Sequence, residues 1–120
     1  MKKAWIIAVL CVSLCGCGNT AQSKKSYSWY DDYTKGKVKM VIKKTNEYKN
    51  AMEFDFTYGS EDYSDFAYFS THNKNKATCD LGEDGIIITF TKKDDIINVS
   101  TQGNFTYFSQ DINGTYRRGS

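Results

Sequence analysis

The stretch from Met52 to Tyr58 constrains the fold most. Met52, Phe54, Phe56 and Tyr58 alternate with Glu53, Asp55 and Thr57. Strict alternation puts apolar side chains on one face of an extended strand and polar ones on the other. The same period recurs in Val38, Met40 and Ile42, which are separated by Lys39 and Val41 and flanked by lysines, and in Ile86, Ile88 and Phe90. Ile97 and Val99, with Ile96 opposite, repeat it again. Further strands are expected at Ser64–Thr71, Ala77–Leu81, Phe105–Ser109 and Thr115–Arg118. Turn chemistry separates them: Asn46-Glu47, Gly59–Asp62, the polar loop His72–Lys76, Gly82-Glu83-Asp84-Gly85, Lys92–Asp95, Gly103-Asn104 and Asn113-Gly114. A helix over Asn46–Met52 is the alternative to the first of these turns.

Turns every roughly 8–12 residues with alternation between them predict an all-β fold. The expectation is a small antiparallel β-barrel or sandwich of about seven to eight strands over residues 29–120, since parallel βαβ units need helical crossovers. Its predicted core includes Met40, Ile42, Phe54, Phe56, Ile86, Ile88, Phe90, Val99 and Tyr116. Trp29, Tyr30 and Tyr33 are expected to begin the fold by packing on one end, or else to form an aromatic ligand platform.

The first residues read differently. Lys2 and Lys3 precede an apolar run, Ala4–Leu14, which has the length of a signal-peptide core. It is too short for a membrane-spanning helix, which needs about 20 apolar residues. Leu14-Cys15-Gly16-Cys17 follows. This order of Leu, small residue, Gly and Cys resembles the lipobox of bacterial lipoproteins. The resemblance implies cleavage after Gly16 and a diacylglyceryl thioether on Cys17. Cys15 and Cys11 are each preceded by leucine, too large for the cleavage position. The implied organisation is a signal peptide over 1–16, the lipidated Cys17 and a flexible tether over 17–28, and a β domain over 29–120. The implied location is the extracytoplasmic face of a bacterial cell membrane or envelope. Two acyl chains anchor stably where one holds only marginally.

Processing changes the arithmetic. Removing Lys2 and Lys3 from 16 basic side chains leaves as many as the 14 acidic ones. A neutral mature domain has no overall field toward nucleic acid, so none is expected as a partner. Of four cysteines, only Cys79 would remain free, which excludes an intrachain disulfide. It is read as a small apolar strand residue, with a reactive thiol as the alternative. A monomer is expected.

Chemistry-bearing patterns are sparse. His72 is the single histidine and stands in a polar loop. Nucleophilic catalysis needs a base beside the nucleophile, so no catalytic site is expected. The acidic groups Asp31/Asp32, Glu61/Asp62/Asp65, Glu83/Asp84 and Asp94/Asp95 all read as turn residues. Asp80, Glu83 and Asp84 lack EF-hand spacing, and neither a metal nor a cofactor is expected. Three Asn-x-Ser/Thr triplets, at Asn98, Asn104 and Asn113, read as ordinary strand and turn chemistry.

From Asn75 onward the order Asn-Lys-Ala, a Cys strand, a Gly turn, an Ile/Phe strand, an Asp-Asp turn, Ile-Asn-Val-Ser and a terminal Gly-Thr-Tyr-Arg resembles small all-β lipoproteins. A more distant likeness is to membrane-bound lysozyme inhibitors, lipid-anchored small barrels whose paired cysteines have no counterpart here. The implied anchor and tether, the scarcity of chemistry-bearing residues and the abundance of aromatics, tyrosine above all, lead to the expectation of a membrane-anchored, non-catalytic binding or interaction module, with an envelope protein or glycan as possible partner. Lysozyme inhibition is one alternative, and a small carboxylate-dependent hydrolase is another. The candidate contact surface is the basic loop with His72, Lys74 and Lys76, together with Tyr63.

Overall fold

The computed structural model describes residues 28–119 apart from 83 and 84. The expected signal peptide, Cys17 and the tether up to Tyr27 lie outside the described residues. So do Glu83 and Asp84.

Alternation becomes a barrel because each strand has one face fit only for a core. The strands are β1 (Asp32–Lys35), β2 (Val38–Lys44), β3 (Ala51–Tyr58), β4 (Glu61–Phe69), β5 (Lys76–Asp80), β6 (Ile87–Lys93), β7 (Ile96–Gln102) and β8 (Gly114–Arg118). Each runs antiparallel to its sequence neighbours, and β8 pairs with β1 through Tyr33↔Arg118 and Thr34↔Arg117. The sheet therefore closes, and the barrel replaces the sandwich alternative. Closure removes the exposed edges that an open sheet presents.

Register brings the apolar faces together. Met40 faces Phe56, Ile42 faces Phe54, Phe90 faces Val99 and Ile97 faces Tyr116. All nine predicted core residues are buried. Phe54 and Phe90 meet at 4.9 Å between ring centroids across the interior. Eight strands enclose a space that side chains just fill, so this barrel holds a core rather than a channel.

The two ends differ. At one, Gly36-Lys37 and Gly59-Ser60 make tight turns, and the segment between β7 and β8 folds across the opening. Phe108 and Ile112 of that segment are buried as a plug, and Tyr116 Oη donates to the Ile112 carbonyl at 2.9 Å. The expected strand at Phe105–Ser109 is therefore not formed. Phe105 is half-buried, Tyr107 exposed and Phe108 buried, an order no single strand face satisfies. Its place is taken by β1, whose single inward apolar residue, Tyr33, is too little to show a period.

At the other end Trp29 closes the barrel. Its Nε1 donates to the Lys74 carbonyl at 3.1 Å, and its ring meets Phe69 at 5.5 Å. Tyr33 Oη donates to the Trp29 carbonyl at 2.9 Å. Arg118 donates to the Asp31 carboxylate, the Ser28 carbonyl and Tyr33 Oη, so the last strand clasps the segment where the chain enters. Trp29 and Tyr33 thus pack on one end as expected, while Tyr30 stays exposed. The connection over Asn46–Asn50 is a loop rather than a helix. The turn expected over Lys92–Asp95 shortens to Asp94-Asp95, with Asp94 at φ 56°.

Candidate functional site

Strand β4 departs from the rule that bulky apolar residues face inward. The turn between β3 and β4 is two residues, Gly59-Ser60, so Tyr58 pairs with Glu61. Antiparallel pairing then places Tyr63 opposite Phe56, Asp65 opposite Phe54 and Ala67 opposite Met52. Phe56, Phe54 and Met52 point inward, so Tyr63, Asp65 and Ala67 do as well. Phe66 and Tyr68 consequently stand on the outer face. Glu61, Asp62 and Asp65, expected at a turn, belong to this strand instead.

A second departure follows. β3 and β4 pair over eight residues, whereas β4 and β5 pair only through Tyr68↔Thr78 and Phe69↔Ala77. Beyond Ala67 and Cys79 the strands separate, leaving a window in the barrel wall. The cavity there is about 360 Å³ and is lined by Tyr48, Asp65, Phe66, Tyr68, Cys79 and Asp80 with Thr78. Tyr48 reaches over from the β2–β3 loop, its ring 4.9 Å from Phe66 and 6.0 Å from Tyr68. Tyr48 and Tyr68 are 45% and 47% exposed, so their rings are open to a ligand.

Asp65 forms the floor. Its Oδ2 accepts from Tyr63 Oη at 3.0 Å, its Oδ1 accepts from the Phe66 amide at 2.8 Å, and the Cys79 thiol also donates to it. Burial and the neighbouring Asp65 charge push the Cys79 thiol up to about 12. The same two causes raise the Tyr63 phenol well above its usual range. Both groups are thus held as neutral donors to one carboxylate. A thiol so raised is a poor nucleophile.

No family model, curated protein or solved structure matches this chain. The site is therefore read from its own residues.

The residues singled out in the sequence fall in two separate places. His72 and Lys74 lie exposed in the loop between β4 and β5, and Lys76 opens β5, also exposed. The loop is ordered by Ser70 Oγ, which accepts from the His72 and Asn73 amides at 3.2 Å. Trp29 pins it through the Lys74 carbonyl. Tyr63 is six residues before Phe69 along β4, roughly 20 Å away. It faces inward, stacked on Tyr107 at 6.0 Å and edge-on to Phe105 at 5.2 Å. Tyr63 reaches the window only through its hydrogen bond to Asp65, and the basic loop lies at the opposite barrel end, so the structure does not bring them together.

One further carboxylate pair stands outside the window. Asp55, on the outer face of β3, is raised to about 6 by burial and then by a hydrogen bond with Asp62. The pair lies on the convex wall of the sheet, not across a cleft of the kind a two-carboxylate glycosidase needs. Among the described residues no group of three His, Cys, Asp or Glu side chains is placed to hold a metal ion.

The window residues Tyr48, Phe66, Tyr68 and Asp65 escaped sequence reasoning. The usable signal was the Gly59-Ser60 turn. A two-residue turn fixes the parity of β4 against β3 and so sends Phe66 and Tyr68 outward.

Proposed function

We propose that this chain is a membrane-anchored extracytoplasmic lipoprotein whose barrel is a non-catalytic binding module. The order Leu14-Cys15-Gly16-Cys17 behind an apolar run supports the anchor. The binding reading rests on one observation: β4 turns Phe66 and Tyr68 outward beside Tyr48, where the strand ladder opens. Inward burial of those two rings would have been worth about 1.5–3 kcal/mol each. Displaying them instead is a cost to folding that a contact surface explains, since aromatics dominate binding hot spots. A thiol that burial and the Asp65 charge keep protonated supplies little for turnover.

Two measurements test the reading. Intact-mass analysis of membrane-extracted protein is expected to show a chain beginning at Cys17 with added acyl mass, and Cys17→Ser to lose both. Normal acylation of Cys17→Ser refutes the anchor. Saturable binding to an envelope fraction is expected to weaken about tenfold or more in Tyr68→Ala. It is expected to survive the Lys74→Ala/Lys76→Ala double substitution. The reverse pattern moves the site to the basic loop and favours the lysozyme-inhibitor-like alternative. Turnover of a glycan substrate, abolished by carboxylate substitutions, replaces the binding module with a hydrolase.

A further inference from the structure

We propose that the window between β4 and β5 binds a compact organic cation, an alkylammonium or guanidinium group, which deepens the binding-module reading and rests on it. Three aromatic rings bound the opening. Tyr48 is inclined 72° to Phe66 and 56° to Tyr68, so the rings form a corner rather than a stack. A corner offers ring faces in more than one direction, and a cation is drawn to the negative face of a ring.

Charge decides the sign of the ligand. Asp65 stands on the floor and Asp80 at the rim of the same cavity. Among the described residues neither has an ion-pair partner, and no lysine or arginine lines the cavity. The donors to Asp65 are a phenol, a thiol and a backbone amide, all neutral, so its charge is hydrogen-bonded but not offset. Among the described residues Asp80 Oδ1 accepts from the Gly82 amide alone, at 2.9 Å. An anion would meet two carboxylates here, and an uncharged ligand would leave both without a counter-charge. A cation meets ring faces and carboxylates together. About 360 Å³ accommodates a headgroup and the start of the chain that carries it. The larger hollow of about 550 Å³ beside it, lined in part by Lys44, Glu47 and Lys49, has no single sign of charge.

The test uses the full chain, extracted in a non-ionic maltoside and isotope-labelled for NMR. Choline is titrated beside 3,3-dimethylbutan-1-ol, its uncharged isostere, and butylammonium and butylguanidinium distinguish the kinds of cation. Choline is expected to shift Phe66, Tyr68, Thr78 and Asp80 resonances saturably and to bind about tenfold tighter than the isostere. Tyr48→Leu, which keeps an apolar body without a ring face, and Asp80→Asn are each expected to weaken choline by a few-fold to about thirtyfold. Their melting temperatures are expected to fall by no more than a few degrees, because both residues are exposed. Equal affinity for choline and its isostere overturns the cation class and leaves the aromatic binding surface standing. Shifts confined to other residues, or none with any of the four compounds, overturn the site. The envelope-binding measurement on Tyr68→Ala then decides separately whether the broader reading also falls.

Discussion

Phe56 and Phe66 sit on adjacent strands and have the same side chain, yet the structure assigns them opposite weight. Phe56 is fully buried, and its ring lies among Phe54, Phe108 and Tyr116 at 5.6, 6.2 and 5.8 Å. Truncating such a ring loses its transfer free energy and leaves a cavity that a closed barrel cannot collapse. Phe56→Ala is therefore expected to cost about 3–5 kcal/mol. A domain of about 90 residues has roughly 5–14 kcal/mol in total, so this removes a large fraction. Phe66 is half-buried on the outer face, where among the described residues its ring meets Tyr48 alone. Phe66→Ala is expected to cost about 1 kcal/mol. Urea unfolding followed by circular dichroism separates the two. With a slope near 2 kcal/mol/M, the midpoint should fall by about 2 M for Phe56→Ala and about 0.5 M for Phe66→Ala. Equal losses, or a greater loss at Phe66, would refute the assigned faces of β4, because a one-residue slip exchanges them.

Two further outcomes follow from the raised groups. The folded state holds the Asp55 proton more tightly than an unfolded carboxyl of about 3.9, since burial and Asp62 raise Asp55 to about 6. Its stabilising contribution is therefore present below about pH 4 and lost as pH rises through about 6. Discounted for partial exposure this is about 1–2 kcal/mol, so the melting temperature should be higher at pH 5 than at pH 7.5. Asp55→Asn should remove that difference by stabilising the protein at pH 7.5, and a loss of stability there would refute the shared-proton account. Cys79 is 3% exposed with its thiol pushed up to about 12. Alkylation by iodoacetamide at pH 8 is expected on the order of 10³-fold slower in the native state than in urea, from thiolate fraction alone. A native rate within about tenfold of the denatured one would show that the thiol is not held as described.

Much of the barrel was legible in the chain. Period-two alternation in β2, β3, β6 and β7 identified strands and their buried faces, because one apolar face per strand admits few other arrangements. Turn residues located most hairpins for a related reason: Gly82 and Gly85, with φ of 74° and 67°, adopt a conformation other residues resist. β1 was not legible, since four residues with one apolar member carry no period. The segment Phe105–Ser109 was misread because its aromatics suit a strand locally. In the barrel those rings plug an open end instead, and Glu61 accepts from the Ser109 amide at 2.7 Å to hold them there.

The sequence by itself determined that this chain forms strands, which of their faces are apolar, and that one cysteine remains beyond the lipobox-like segment. Tertiary structure alone decided that the sheet closes on itself, through Tyr33↔Arg118 and Thr34↔Arg117, residues far apart in the chain with no local signal for pairing. It also decided where the ladder opens. Alternation reports that two faces differ, but the direction of each face comes from the neighbouring strand. In β4 that direction is inherited from β3 across Gly59-Ser60, which turns Asp65 inward and Phe66 and Tyr68 outward. The window exists because β4 follows β3 for eight pairs and β5 for two, a competition between partners that no single strand's sequence expresses.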